Sequence, residues 1–314
     1  MSIAVYSAFS GLIYGLLLFM MASGLTIVFG MMGIVNFAHT SFYMFAAYFA
    51  LLISTRVGFV PALIIAPLLV AAIGFFVEVF LLRKVHRHGH GPELLVTFGL
   101  LLISEELVKL LFGTGFADFS PPPALRFSAF TVFGLQFPFY RIFVAAVAVV
   151  LFVALYLIMN RTRLGIIVRG CVRRPDMASA LGHNVSAVLA GVFTFGCWMA
   201  GVAGVLGGPI LTTSPQMAIQ QAIPVFVVVV VGGLGSLSGA LYASLIIGIL
   251  SSLVVAIDVS FLDASRWMGF GDKAALALGS LSNFKISGLA GSIPILLMLV
   301  VLLVRPSGLQ GDRI

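Results

Sequence analysis

The sequence predicts an all-α integral membrane protein, a polytopic bundle of about 8–10 transmembrane helices of which some are broken or short. Hydrophobic residues make up 61% of the 314 residues and charged residues only 9%, whereas a soluble domain carries about 25% charged residues. The mean hydropathy is +1.20. A water-facing surface of this composition would aggregate, so most of the surface is expected to face lipid.

Apolar runs follow one another along the whole chain, and a membrane-spanning helix needs about 20 such residues. Strands are disfavoured in these runs because an open sheet cannot satisfy its edge groups in lipid. With short connections the runs leave no room for a soluble domain, so residues 1–314 are interpreted as one transmembrane domain. The predicted spans are Ala4–Phe29, Ile34–Ile53, Phe59–Leu82, Glu93–Phe112, Phe139–Met159, Val185–Leu206, the shorter Ile219–Val231, Gly239–Ile257 and Gly288–Val304.

Clusters of basic residues indicate the orientation, since cytoplasmic loops carry an excess of Lys and Arg. Such clusters lie in segments 83–92 and 160–184 and after the last span, at Arg305 and Arg313. Placing all three inside predicts an outer N-terminus and an inner C-terminus. The net charge of +7 is explained by these loops, and without a continuous basic face we expect no nucleic-acid partner. Two further segments are then predicted outside: 113–138 and 258–287.

The loop 160–184 is the most informative segment, because it is polar and basic between two long apolar runs. It reads NRTRLGIIVRGCVRRPDMASALGHN and carries five of the 17 basic residues. No Gly-Lys dipeptide occurs in the chain, so there is no P-loop that could bind ATP. We therefore interpret the loop as the docking site of a partner protein that supplies energy. The alternative is a basic topological anchor without a partner.

Two glycine-rich breaks interrupt apolar sequence, GMMGIVNFAH at 30–39 and GGLGSLSG at 232–239. Such turns let helices pack closely or expose backbone groups toward a pathway. In the first break, Asn36 and His39 either serve only to cap the following helix and to form interhelical hydrogen bonds, or line or gate a translocation path. The second break resembles a dinucleotide fingerprint, but Ser238 stands where the third glycine is required, so a turn between membrane helices is favoured.

Two adjacent carboxylates, Glu105 and Glu106, lie within a predicted span. Intramembrane carboxylates are candidates for a functional site by default. Lys109 lies four residues after Glu105 and hence on the same helix face, where the two can pair. Simple pairing near the outer end of the span is favoured over an ion relay.

Several ordered motifs run along nearly the whole chain: GLTIVFGMMGIVNFAHTSFYMFAAYFA at 24–50, Thr-Phe-Gly at 97–99, RTRLGIIVRGCVRRPDMASALGHNV at 161–185, VVVVGGLGSLSGALYASLIIG at 228–248 and LVRPSGLQG at 303–311. Together they resemble the permease subunits of branched-chain amino acid ABC importers, in their shorter H-type form. Position 174 is Arg where the family pattern has an acidic residue, His183 stands where Ile is expected, and positions 105 and 106 are Glu where amides are expected. These departures leave the substrate open among hydrophobic amino acids, urea, amides and aromatic carboxylates.

The resemblance implies a five-part importer in a bacterial inner membrane. This subunit would pair with a homologous second permease within the membrane lipid and would bind two ATPase subunits and an external substrate-binding protein. ATP and Mg would be held by the ATPase subunits, with no cofactor and no enzymatic site in this chain. The residue-level alternatives, an ion-gradient-driven secondary transporter or a channel, stay open.

The resemblance also places a coupling helix in the loop 160–184. Pro175–Leu181 can form about two helical turns, since proline is tolerated at a helix start and Gly182 can end it. The residues expected to couple to the ATPase are Arg169, Arg173, Arg174, Pro175, Asp176, Met177, Ala178, Leu181 and Gly182. Those expected to line or gate the translocation path are Asn36, Phe37, His39, Gly233, Gly235 and Ser236.

Overall fold

The structure, a computed structural model, describes residues 2–33, 36–86, 88–132, 134–257, 263 and 285–310. Most of the segment 258–287, which was predicted outside, lies beyond the described residues, as do Arg87 and Arg313. One π-helical turn, Glu78–Leu82, joins α3 to α4. The helices of the described ranges are α1 (Ser2–Met32), α2 (His39–Val57), α3 (Phe59–Val77), α4 (Arg83–His86), α5 (His90–Phe112), α6 (Phe139–Arg161), α7 (Arg163–Arg173), α8 (Pro175–Ala180), α9 (Val185–Leu211), α10 (Met217–Gly232), α11 (Leu237–Ala256) and α12 (Ile293–Val304).

The predicted class is confirmed: this is an all-α, multi-pass membrane protein. Within the described residues, seven helical segments are long and apolar enough to cross a membrane. Helix α10 is apolar but has only 16 residues, and α5 has 23 residues but carries several charges. Each predicted apolar run falls on a helix. The seven segments of sufficient length and hydropathy are Ala4–Gly30, His39–Val57, Phe59–His86, Phe139–Arg161, Val185–Leu211, Leu237–Ala256 and Ser287–Val304.

Helix α1 forms the centre of the bundle and packs antiparallel to α11 in the most extensive helix pair of the described residues. Small residues make this close approach possible. A Cβ atom on Gly11 would lie 2.6 Å from Gly248 O, and one on Gly15 would lie 2.7 Å from Ser244 O. Lipid tails are as apolar as the helix surfaces, so the hydrophobic effect does not drive helices together within a membrane. Their association depends instead on close packing of this kind.

Helix α2 begins in the middle of the bundle rather than at its edge. His39, its first residue, places Nε2 3.0 Å from Met21 O, and Met21 lies well inside α1. The 19 residues of α2 rise roughly 28 Å, which carries the chain back toward the start of α1. The predicted span Ile34–Ile53 is therefore wrong at both ends, because the helix begins at His39, inside the bundle, and continues to Val57.

A small antiparallel hairpin, β1 (Ser128–Val132) paired with β2 (Leu135–Pro138), lies in the segment 113–138. Sequence reasoning did not predict it. Phe137 is buried, and its ring lies 4.9 Å from that of Phe130 and 4.8 Å from that of Phe9. The hairpin thus covers the N-terminal end of α1.

The two ends of the bundle differ in charge. At the end where α9 begins, Arg83 donates from Nη2 to Ser186 O at 3.2 Å, and the basic loop 160–184 lies next to it. Arg305 follows α12, and the backbone beyond it bonds to the end of α10 through Leu309 N to Val231 O at 2.8 Å. The three basic segments predicted on one side therefore meet at one end, named here the basic end.

Candidate functional site

Helix α7 folds back tightly on the end of α6. Gly165 lies so close to Met159 O that a side chain there would collide with the backbone. Thr162 caps α7, because its Oγ1 accepts from Gly165 N at 3.4 Å. Arg169 donates from Nη1 to the Met159 carbonyl, which closes the turn from the other side. The start of the loop 160–184 is therefore a hydrogen-bonded, closely packed turn at the basic end.

The predicted coupling helix exists as α8, Pro175–Ala180, one residue shorter than predicted. Pro175 occupies its first position, where a proline costs no hydrogen bond. At its end Gly182 has φ of +87°. Gly182 N donates to Ser179 O at 2.9 Å and His183 N to Ala178 O at 3.0 Å. This pair of bonds is the Schellman motif, so the predicted stop at Gly182 is confirmed.

A groove of about 460 Å³ runs between α7 and α8. Ala178 is buried against α7, whereas Met177 is 55% and Leu181 77% exposed. Ile166 on α7 is 65% exposed beside them. These apolar side chains share one groove with Arg169 and Arg174. An apolar surface rimmed by charge at the end of a membrane bundle is typical of a protein-binding surface.

The remaining coupling candidates surround α8. Arg173 is the last residue of α7. Arg174 links the two helices, is exposed, and places Nη1 3.5 Å from Met177 Sδ. Asp176 is exposed in the first turn of α8, where its negative charge suits the helix dipole. The structure therefore places these candidates around α8, and their role in coupling stays a prediction.

Replacing Gly182 by Ala is expected to loosen the end of α8, because a Cβ disfavours the left-handed conformation by about 1–2 kcal/mol. Gly182→Asn should cost less, since asparagine tolerates that conformation. Amide hydrogen exchange over residues 175–184 measures the effect. Equal exchange in the wild type and both variants would contradict the importance of the motif.

The second candidate site surrounds the start of α2. Asn36 is 1% exposed, and neither its Oδ1 nor its Nδ2 has a hydrogen-bond partner among the described residues. His39 Nδ1 is also buried and has no partner there. Capping is wrong, because the N-cap of α2 is Ala38 and no described side chain caps the helix, whereas the expected interhelical hydrogen bond is present between His39 Nε2 and Met21 O. Asn36 and His39 instead face a small cavity of about 10 Å³ together with Thr40, Ala222, Val225 and Phe226.

An aromatic cluster that sequence reasoning missed closes this cavity. The ring of Phe37 lies 6.2 Å from that of Phe98 and 6.1 Å from that of Phe226. Phe98 is 48% exposed on α5, so the cluster extends from the buried polar groups to the bundle surface. No local signal could identify Phe98 and Phe226, because they lie on helices far apart in sequence.

The glycine turn at 233–236 lies elsewhere. Gly233 and Gly235 have φ of +100° and +85°, and a Cβ on Gly30 would lie 2.6 Å from Gly235 Cα. Ser236 Oγ accepts from Gly239 N at 3.1 Å and caps α11. His39 packs against Gly24 of α1. Gly30 lies six residues further along α1, a rise of roughly 9 Å toward the C-terminal end of that helix. The structure therefore brings the two glycine breaks into contact, but separates this turn from the Asn36 cavity.

The carboxylates of α5 pair as expected. Lys109 Nζ lies 2.7 Å from Glu105 Oε1 and 2.8 Å from Glu106 Oε1. The three residues lie in the last two turns of α5, at the opposite end of the bundle from the loop 160–184. This is the simple pairing that the sequence favoured over an ion relay.

The sequence of this chain was compared with family models and with known proteins. A family model described as "Branched-chain amino acid transport system / permease component" matches residues 7–302. The permease protein LivH of Escherichia coli K12 is 30% identical over 266 residues, covering 78% of this chain and 84% of its own length. BraD of Pseudomonas aeruginosa is 26% identical over 319 residues, covering 96% and 94%.

A third relative is archaeal: a probable LivH of Methanocaldococcus jannaschii is 27% identical over 311 residues, covering 96% of this chain and 90% of that protein. No solved structure matches the chain. The family model spans both the loop 160–184 and the two glycine breaks. This chain therefore belongs to the family of permease components of branched-chain amino acid transport systems.

Proposed function

We propose that this permease is the membrane subunit of an ATP-driven ABC importer and that the loop 160–184 is where its ATPase binds. The observation that carries the proposal is the exposed groove between α7 and α8. It presents Met177 and Leu181 beside Arg169 and Arg174 at the basic end. Both apolar side chains are mostly exposed in this chain, so we propose that a partner protein covers them. An ATPase groove of negative charge would complement the arginines.

The rest of the assembly follows from the family. The E. coli and P. aeruginosa relatives are named as parts of high-affinity branched-chain amino acid transport systems. We propose the same substrate class here, a homologous second permease, two ATPase subunits that hold ATP and Mg, and an external binding protein. The basic end would then face the cytoplasm of a bacterial inner membrane.

The Asn36 cavity is proposed as part of the translocation path. A buried amide without partners is costly, by about 1–3 kcal/mol, and is retained most readily where it serves another purpose. Helix α2 begins here at mid-depth, in the manner of the broken helices whose ends form solute sites in transporters. The Phe37, Phe98 and Phe226 cluster would act as the gate, and the 233–236 turn would hold the inner end of the path together.

The deciding experiment is uptake of radiolabelled leucine into proteoliposomes that contain the permease pair with its binding protein, with and without the ATPase subunits. We expect uptake only with ATPase and ATP, and no effect of a protonophore. Uptake without the ATPase would establish the channel or secondary-transporter alternative, and collapse with a protonophore would identify ion coupling.

Replacing Asn36 by Leu is expected to reduce leucine uptake at least tenfold while raising the stability of the folded protein by about 1 kcal/mol, because it removes an unsatisfied buried amide. Thr26→Val is the matched control. Thr26 Oγ1 is also buried without a partner, but Thr26 does not line the cavity, so uptake should be unchanged. Loss of stability in Asn36→Leu would instead indicate a structural role.

A further inference from the structure

A cavity of about 360 Å³, much larger than the Asn36 cavity, opens between α6, α7 and α9. Its walls are apolar side chains and glycine, with almost no polar surface. The principal wall residues are Leu155, Ile158, Leu164, Val188, Val192 and Phe195. Its volume lies at the low end of the ~300–1,000 Å³ typical of small-molecule sites. Water gains nothing in such a cavity, because it finds no polar partner there.

The cavity reaches the outer surface of the bundle. Leu164 is 64% exposed at its rim. Gly191 on α9 is also exposed, and a Cβ atom there would meet no other atom within 4 Å. The opening therefore faces the medium that surrounds these helices, which is lipid along α6 and α9.

Two arginines neighbour wall residues of this cavity in the sequence. Arg161 and Arg163 are both exposed, and they flank in sequence the wall residues Met159 and Leu164. No acidic residue occurs between Asp118 and Asp176, so nothing in this stretch of chain neutralises them. Basic residues at the end of a span attract anionic headgroups, at roughly 1 kcal/mol each.

We propose that this cavity is a binding site for one anionic phospholipid, with an acyl chain in the cavity and the phosphate paired with Arg161 and Arg163. The apolar walls fit an acyl chain, and the uncompensated arginines select a headgroup with net negative charge. A zwitterionic lipid would fill the same cavity but carry its own compensating cation. Because Ile167 and Val168 of α7 line the cavity, the bound chain would also support the helix on which α8 is mounted.

The test uses the full permease with its partner subunits in nanodiscs of equal phosphatidylcholine and phosphatidylglycerol. Native mass spectrometry of the released complex counts the lipids that remain bound. We expect one retained phosphatidylglycerol per copy of this chain. Retention of phosphatidylcholine to the same extent would overturn the selectivity, and a cavity protected by another subunit in cross-linking would overturn the lipid assignment.

Two variants localise the site. Gly191→Leu adds a side chain to the cavity wall at a position where a Cβ atom meets no other atom within 4 Å, and should reduce the retained phosphatidylglycerol at least fivefold. Joint replacement of Arg161 and Arg163 by Gln should weaken retention about 25-fold, or about fivefold for each charge. The controls are Gly91→Leu, another open helical glycine, and Arg126→Gln, an arginine remote from the loop. Equal retention in all four variants would refute the site.

Discussion

Replacing both Met177 and Leu181 by Asp is expected to abolish binding of the ATPase subunits while the permease still inserts and folds. Both side chains are mostly exposed, so the isolated chain loses little. In the complex each would bury, and burial of one such side chain contributes about 1.5–3 kcal/mol. The double variant should therefore bind at least 100-fold more weakly, and ATP-dependent uptake should disappear.

Co-purification of the ATPase with tagged permease measures this effect, and size-exclusion chromatography of the permease checks its fold. Ser179→Asp is the control, because Ser179 is exposed on α8 but does not line the groove. It should retain the ATPase. Normal co-purification of the double variant would show that the partner binds elsewhere, and a failure of both variants would show that any added charge on α8 is harmful.

A pair of glycine substitutions is expected to change stability in opposite directions. Gly248→Ala places a methyl group about 2.5 Å from Gly15 N, and such overpacking costs about 1–3 kcal/mol. The damage falls on the α1–α11 pair, the most extensive contact in the described bundle. Gly99→Ala, in contrast, meets no atom within 4 Å, and should gain up to about 1 kcal/mol from better helix propensity.

Thermal unfolding followed by fluorescence-detected size exclusion distinguishes the two variants. The midpoint should fall by several degrees for Gly248→Ala and stay level or rise for Gly99→Ala. Equal shifts would mean that glycine content, rather than the local approach of α1 and α11, sets the stability.

The fold class was predictable because it depends on composition and run length, which are local properties. Each apolar run forms a helix, and α8 begins at a proline and ends just before a glycine, as expected. The start of α2 was not predictable in the same way. This helix begins inside the bundle, where His39 packs on Gly24 of α1, itself in contact with Gly196 of α9, and no local signal in the sequence marks that start.

The two candidate sites also differ in how far the sequence could predict them. The loop 160–184 is continuous in sequence, so its charge, its proline and its glycine identified it at once. The Asn36 cavity is assembled from α1, the break before α2, α2 itself and α10, and only Asn36, Phe37 and His39 lie in a recognisable motif. The hairpin was missed because its stability comes from Phe137 packing on Phe9, a contact between residues 128 positions apart (137 − 9).

The pairing of α1 with α11 has a consequence for how the protein is made. Gly11 and Gly248, which touch in the finished bundle, are 237 residues apart (248 − 11). At about 5–20 residues per second, the ribosome takes roughly 10–50 seconds to bridge that interval. During this time α1 is in the membrane without its main partner, its glycine face open to other helices. An insertase or a membrane chaperone that shields this face until α11 emerges would therefore determine the yield of correctly assembled permease.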